Sequence, residues 1–260
     1  MSNYNNITFI ILAAGEGTRL RPLTEKVPKC LVKIDDKSLL ERQLAVIKSF
    51  NVSKIVIIGG YLAELLSPYG KLIINDRYHE TNMVHTLFEA REYLEGEVIV
   101  SYGDIVYSKH ILKNLLNSDD DISITIDMDW ESYWISRNEN PLDDAETLKF
   151  DTEGYLTDIG RKPNSIEEIQ GQYMGLLKFN QEGIKSFKAT YEKCLKEKSI
   201  AGKPIEEAFM TDLLRYHIHL GKKIKSIPIS NPWVEIDTVA DSESSVTHSR
   251  LAKIEKELYS

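Results

Sequence analysis

Along the first half of the chain, short runs of apolar, β-branched residues alternate with segments whose apolar positions recur at helical spacing. Residues 7–13, 54–59 (KIVIIG), 71–75, 97–102 (EVIVSY) and 122–127 (ISITID) read as strands. Between 38 and 50, Leu39, Leu40, Leu44, Ile47 and Phe50 share one helical face. Residues 81–94 read as a helix with Thr81 as its N-cap. Later, 147–159 reads as a hairpin around 151–154 and 172–179 as a strand. Helices are expected near 181–196 and 204–220, and a late strand at 222–229. The segment 234–237 then leads into a polar closing helix. The stretch 129–144 is irregular, polar and aromatic, and holds two of the three tryptophans. Strands alternating with helices predict an α/β fold, with a mostly parallel sheet covered on both faces. The chain reads as one domain, 1–260, with 129–178 as an elaboration of it.

Composition narrows the class. The hydrophobic share of 42% and charged share of 28% are those of a soluble globular protein. No apolar run approaches the roughly 18–20 residues that a membrane span needs. The polar start, Met1-Ser2-Asn3-Tyr4-Asn5-Asn6, does not read as a signal peptide. Two cysteines, Cys30 and Cys194, without a CxxC pair, suit a reducing, cytoplasmic location and no structural zinc. The net charge of −8 disfavours nucleic acid as a partner but leaves room for a local cationic pocket. The six histidines are scattered and read as surface or packing residues.

In parallel sheets, ligands bind beyond the carboxyl ends of the strands. After the first strand come Leu12-Ala13-Ala14-Gly15-Glu16-Gly17-Thr18-Arg19-Leu20-Arg21-Pro22-Leu23-Thr24, then Pro28-Lys29. Gly15 and Gly17 let backbone N–H groups approach phosphate oxygens, and Arg19 and Lys29 add fixed positive charge. Neither a Walker A loop nor a GxGxxG loop is present. A glycine-rich turn taken bare is equally a structural turn; Arg19 and Pro28-Lys29 downstream make this run far more specific. Asp104 follows the strand ending at Tyr102. On its own it reads as a turn aspartate; beside a phosphate loop it reads as a metal ligand. Glu235 and Asp237, two apart in an extended segment, face the same way. Carboxylates around a triphosphate suit Mg²⁺.

The complete run, LAAGEGTRLRPLTEKVPK, resembles the signature of the nucleotidyltransferases that make nucleoside-diphosphate sugars and alcohols. The resemblance extends over nearly the whole chain and implies a Rossmann-like fold. Tyr102-Gly103-Asp104 resembles that family's metal-binding Gly-Asp, and Trp233-Val234-Glu235-Ile236-Asp237 its second acidic motif. No left-handed β-helix repeats follow, as in short members with a catalytic domain alone. Asn75-Asp76-Arg77-Tyr78-His79-Glu80-Thr81-Asn82-Met83, Gly59-Gly60-Tyr61 and the block from Trp130 to Leu148 resemble the small cytidylyltransferase branch. That branch acts on phosphorylated glutamine, aminoalkyl phosphonates or phosphocholine. Gln170-Gly171-Gln172-Tyr173-Met174-Gly175-Leu176 points the same way. Sugar-type members carry a Glu-Lys-Pro run; here Gly160-Arg161-Lys162-Pro163 keeps the lysine and lacks the glutamate.

The resemblance implies a Mg²⁺-dependent transfer of CMP from CTP to a small phosphorylated or phosphonate acceptor, with release of pyrophosphate. Lys29, Arg19 and Asp104 would be catalytic, and Asp104, Asp237 and Glu235 would face the metal. Leu12, Ala13, Ala14, Gly15, Glu16, Gly17, Thr18, Gly60, Thr81, Asn82, Met83 and Gly103 would bind the nucleotide. Thr81 and Asn82 would read the base edge or only cap a helix. The insert would serve the acceptor. Trp130, Tyr133 and Trp134, with Asp143, Asp144 and Glu146, would face an ammonium, Arg137 and Lys162 the phosphoryl group, and Tyr173 and Gly175 would lie beside it. The bland alternative is solvated acids and tryptophans packed on the sheet. Two other functions stay open: a hexose-1-phosphate uridylyl- or thymidylyltransferase, and a non-catalytic nucleotide-binding regulatory subunit. Homo-oligomerisation is compatible with all of them.

Overall fold

The computed structural model describes residues 4–259, so Met1, Ser2 and Asn3 of the polar start lie outside the described residues. In chain order, β1 (Thr8–Ala13) leads to a ribbon of β2 (Lys33–Ile34) and β3 (Lys37–Ser38), then α1 (Leu39–Lys48), β4 (Lys54–Gly59) and β5 (Lys71–Ile74). There follow α2 (Met83–Glu89), β6 (Val98–Tyr102), β7 (Ile105–Tyr107), α3 (Lys109–Leu116) and β8 (Ile122–Asp127). The second half contributes α4 (Trp130–Arg137), the hairpin β9 (Leu148–Phe150) and β10 (Leu156–Ile159), β11 (Gln172–Phe179), α5 (Gln181–Glu197) and α6 (Met210–His219). It closes with β12 (Lys225–Ile229), β13 (Trp233–Glu235), α7 (Val239–Glu243) and α8 (Ser245–Leu258).

The main sheet has seven strands in the order β12-β8-β11-β6-β1-β4-β5. It is mostly parallel; β11 alone runs antiparallel to both of its neighbours, β6 and β8. The continuous apolar character of β1 has a direct cause. Phe9 and Ile11 point into one hydrophobic layer, Ile10 and Leu12 into the other, so every position is buried. After β1 the chain goes to β4 and β5 on one side, then crosses to β6 on the other. The sheet therefore reverses its order at the β1/β6 pair, where a crevice opens at the carboxyl ends. The Gly103 N–H donates to the Leu12 carbonyl at 2.9 Å, tying the two strand ends together. A Cβ on Gly103 would lie 2.8 Å from that oxygen, so only glycine allows the approach.

Helix α1 starts as its sequence implies. The Glu41 N–H donates to Ser38 Oγ at 3.2 Å and the Ser38 N–H to Glu41 Oε2 at 2.7 Å, a reciprocal capping box. The helix expected over 81–94 is shorter and starts later. Asn82, not Thr81, is the cap of α2, because the Thr81 hydroxyl is engaged by Asn75 and the Arg77 carbonyl. The helix expected over 204–220 divides into a single 3₁₀ turn and α6. The irregular stretch at 129–144 holds a helix, α4, that periodicity did not reveal. Among the described residues, no helix is long and apolar enough to cross a membrane. Cys30 and Cys194 are both free and buried.

Candidate active site

At the end of β1 the chain turns through Ala14-Gly15-Glu16 into Gly17, whose φ of +62° lies in the left-handed region that glycine favours. The Gly17 carbonyl accepts from Thr24 Oγ1 at 2.8 Å and from the Leu20 N–H at 2.9 Å, which folds the loop back on itself. A Cβ on Gly17 would meet Lys29 Cβ at 3.0 Å, so the loop lies directly over Lys29. A cleft of about 290 Å³ opens here. Of the residues singled out from sequence, Leu12, Ala13, Ala14, Gly15, Gly17, Thr18, Thr81, Asn82, Met83 and Gly103 line it, together with Arg19, Lys29, Asp104 and Asp237. Glu16 does not; its carboxylate pairs with Arg21 at 3.3 Å. Gly60 sits behind the wall, where a Cβ would strike Tyr78 and the Ala14 carbonyl. Cys30, Tyr78, Thr86 and Tyr102 also line the cleft. Tyr78 and Tyr102 fall within the motifs that carry the resemblance, whereas Cys30 and Thr86 have no charge signal in the sequence to mark them.

The charged floor is a compact network. Lys29 Nζ lies 2.6 Å from Asp104 Oδ2 and 2.5 Å from Asp237 Oδ1, and Arg19 Nη2 reaches the same Asp237 oxygen at 3.2 Å. The two acids arrive from different places and are joined through backbone. β13 pairs antiparallel with β7, and the Ile236 N–H donates to the Asp104 carbonyl at 3.1 Å. Burial opposes charge on Lys29, but Asp104 and Asp237 outweigh it and hold the ammonium well above the usual lysine range. Burial likewise opposes charge on Asp237. The Lys29 ammonium, then Arg19 and Arg137, outweigh it and keep that carboxyl below the usual range. Glu235 goes the other way: burial foremost, then the Asp237 charge, push its carboxyl up to about 7.

The acids suit a hard divalent cation as a pair. Asp104 and Asp237 converge on one ammonium, and Asp104 Oδ1 is buried with no hydrogen-bond partner. Two carboxylates, completed by water and phosphate oxygens, are a donor set that Mg²⁺ accepts. Among the described residues, no group of three His, Cys, Asp or Glu side chains is arranged to hold a metal by itself. Glu235 does not join the pair, since its Oε2 is held by Arg137 Nη1 at 2.6 Å.

The insert departs most from expectation. Trp130 and Trp134 are core residues, 5% and 4% exposed, packed with Tyr133 and Trp233 rather than walling an open site. Apolar burial explains this: α4 has one greasy face and lays it on β13, the strand that opens the acidic motif. Arg137 is not free for an acceptor. Its side chain is 8% exposed and divided among Glu235, Asp237 and Asp241. Lys162 is exposed, and its Nζ donates to the carbonyls of Leu142 and Asp143, both at 2.6 Å. Asp144 is also exposed. Tyr173 does stand beside the cleft, its ring edge-on to Tyr102 at 5.8 Å. Gly175 backs it, since a Cβ there would strike the Tyr102 ring. The insert's acid that is drawn inward is Glu146, whose Oε1 accepts from Thr211 Oγ1 at 3.3 Å. Burial pushes its carboxyl above the usual range.

A glycine turn over a lysine and two carboxylates at a strand-order reversal has a geometry suited to a nucleotide, and comparisons with known proteins place the chain in a family. The MobA-like NTP transferase domain profile matches residues 9–138. Along 246 residues the chain is 37% identical to a CTP:phosphoglutamine cytidylyltransferase of Campylobacter jejuni, covering 90% of this chain and 97% of that protein. The chain belongs to the MobA-like NTP transferase family. It is an enzyme of the nucleotidyltransferase class. A choline-phosphate cytidylyltransferase of Streptococcus pneumoniae is 38% identical over 115 residues, 42% of this chain and 48% of that one. Among solved structures, the CTP:phosphocholine cytidylyltransferase from S. pneumoniae superposes with a TM-score of 0.73 at 23% identity, covering 94% of this chain and 98% of that one. An inositol-1-phosphate CTP transferase from T. maritima gives 0.73 at 22%, covering 96% of each chain. At these identities the structural likeness speaks for the Rossmann-like fold.

Proposed function

We propose that this nucleotidyltransferase is a Mg²⁺-dependent cytidylyltransferase that moves CMP from CTP to a small phosphorylated or phosphonate acceptor and releases pyrophosphate. The observation that carries the reading is the convergence of Lys29, Arg19, Asp104 and Asp237 beneath the glycine turn. The cytidylyltransferase relative that spans nearly the whole chain favours CTP, and phosphoglutamine is the acceptor named for that relative. The whole chain acts as one catalytic unit, and a cytoplasmic location suits its free cysteines.

An acceptor oxygen attacks the α-phosphorus of CTP; the new P–O bond forms as the bond to the β-phosphate bridging oxygen breaks. The electron pair leaves with pyrophosphate. No general base is needed, because a phosphate monoester with a second pKa of roughly 6 is already an anion at neutral pH. The difficulty is bringing two anions together and stabilising the charge that builds on the leaving group. Lys29 and Arg19 supply fixed positive charge in a half-buried site, where it counts for more than in water. Mg²⁺ held by Asp104 and Asp237 would neutralise phosphate charge and orient the triphosphate. Backbone N–H groups around Gly15 and Gly17 cradle the phosphates. Thr81 and Asn82 face the base, braced by Asn75, whose fully buried Nδ2 donates to Thr81 Oγ1 and Thr86 Oγ1, both at 3.0 Å. On the acceptor side, Glu146 and Tyr173 are suited to an ammonium.

Pyrophosphate release is the test, measured over four nucleoside triphosphates with phosphocholine, 2-aminoethylphosphonate, phosphoglutamine and glucose 1-phosphate. The reading expects CTP with one of the first three acceptors, and no turnover in EDTA. UTP or dTTP with glucose 1-phosphate as the best pair would replace it with the hexose reading. Nucleotide binding without turnover would favour the regulatory one.

A further inference from the structure

We propose that Arg137 is a positioning residue for Asp237 and that α4 serves the site by carrying it. The inference rests on the reading of Asp104 and Asp237 as the metal-holding pair. The Arg137 guanidinium meets three carboxylates: Nη1 lies 2.6 Å from Glu235 Oε2, Nε lies 3.0 Å from Asp241 Oδ1, and Nη2 is shared between Asp237 Oδ2 at 3.4 Å and Asp241 Oδ2 at 3.5 Å. Asp237 is thus held at both oxygens, Oδ1 by Lys29 and Arg19, Oδ2 by Arg137. Its backbone is held as well, because the Asp237 N–H donates to Asp241 Oδ2 at 3.0 Å. That Asp241 oxygen also accepts from the Thr238 N–H and hydroxyl, each at 2.9 Å, so the anchor is itself fixed.

Helix α4 is built to present this one side chain. Tyr133 accepts the Glu235 N–H at 3.0 Å and is flanked by two guanidinium groups, Arg250 at 3.8 Å and Arg137 at 5.3 Å from its ring centre. Trp134 packs on Trp233, at the start of the strand that ends in Glu235. A lysine could not replace Arg137, since an ammonium is a point charge and the planar fork serves three partners in three directions at once. Without the fork, three neighbouring carboxylates face one another and Asp237 keeps its contacts at Oδ1 alone, so its carboxylate can pivot about that oxygen.

Charge and position make opposite predictions here, which gives the test its sign. Removing a cation beside a metal site tightens divalent-cation binding if Arg137 acts only by its charge. It weakens binding if Arg137 acts by holding Asp237. The probe is Mn²⁺ without nucleotide, titrated onto the full chain and followed by the electron paramagnetic resonance of free Mn²⁺. Melting temperatures are taken alongside. Arg137→Gln and Arg137→Lys are expected to weaken Mn²⁺ binding roughly 10- to 100-fold, the range for residues that orient metal ligands. Phe187→Leu, a core substitution in α5 in the hydrophobic layer that excludes α4, lowers the melting temperature and leaves Mn²⁺ affinity at the wild-type value. Unchanged or tighter Mn²⁺ binding in a folded Arg137 variant overturns the proposal. Should Arg137→Gln not fold, Arg137→Lys, which keeps the charge, decides. If wild type binds no Mn²⁺, the metal reading itself fails; if wild type and variants bind alike, only this inference does.

Discussion

Lys29 Nζ lies between Asp104 Oδ2 and Asp237 Oδ1, at 2.6 and 2.5 Å, although the acids stand 75 and 208 residues away in sequence. None of the three is needed to fill the hydrophobic layers on either face of the sheet. A charged trio assembled at that cost in desolvation argues for chemistry rather than stability, because buried ion pairs add little net stability. Lys29→Ala is therefore expected to fold and to lose roughly a hundredfold or more in kcat, the scale of removing one strong electrostatic stabiliser. Steady-state kinetics with a melting curve checks this; turnover within threefold of wild type shows that Lys29 is not catalytic.

Asp237 and Glu235 are two residues apart but differently engaged. Asp237→Asn removes a carboxylate from the point shared with Asp104, so it is expected to abolish metal-dependent turnover. Glu235→Gln leaves that pair in place and is expected to retain part of it. Titrating Mg²⁺ against rate for both variants separates them. An Asp237→Asn enzyme with the wild-type metal requirement would make this acid structural.

Asn75 makes the base side of the cleft testable. Replacing a buried hydrogen-bonding hub with alanine leaves the Thr81 and Thr86 hydroxyls without its donor. Asn75→Ala is expected to cost about 1–3 kcal/mol of stability and to raise KM for CTP more than KM for the acceptor. Equal effects on both constants would indicate a general loosening of the domain.

For the acceptor, burial distinguishes acids that charge alone makes equivalent. Glu146 is drawn inward beside Thr211, whereas Asp144 is exposed. Glu146→Gln is expected to raise KM for an ammonium-bearing acceptor several-fold with KM for CTP unchanged, while Asp144→Ala alters neither. The reverse pattern would return the acceptor site to the outer face of the insert.

His217 sets an acid limb of stability. It is 1% exposed, its Nδ1 lies 2.7 Å from Thr190 Oγ1, and burial, with Lys222 adding to it, lowers its pKa to about 4. Between about 6.5 and 4 the unfolded chain binds the proton and the folded chain does not, so this contribution is lost as pH falls through that window. The difference caps the loss at about 3 kcal/mol. His217→Gln is expected to flatten the fall in the urea midpoint from pH 7 to pH 4.5. An unchanged fall would show that His217 does not set it.

The strands were legible from their apolar, β-branched residues: 54–59 reads as a run buried on both faces, and 122–127 alternates isoleucine with Ser123, Thr125 and Asp127, all of them buried. The glycine loop, Asp104 and Asp237 were legible because their residue types are chemically pointed and each follows a strand, and Lys29 because Pro28-Lys29 completes the motif that the glycine loop opens. Helix α4 was not, because eight residues carrying three aromatics and an arginine give too short a stripe to show a period. The fate of Arg137 could not be read at all. Its partners lie 98 to 104 residues away, and only the fold brings them round one guanidinium. Thr81 reads as a helix cap on residue type alone, whereas its hydroxyl is claimed by Asn75 across a turn.

The central claim is that CMP leaves CTP at the α-phosphorus and stays on a phosphorylated acceptor. Phosphorus NMR of enzyme, Mg²⁺, CTP and phosphoglutamine, repeated with 2-aminoethylphosphonate and phosphocholine, follows every phosphorus atom at once. The account predicts that the CTP signals give way to inorganic pyrophosphate and a coupled pair from a new CMP–acceptor anhydride, in equal amounts, with at least one acceptor. CDP and inorganic phosphate as the products, or no new coupled pair with any of the three acceptors, would contradict it.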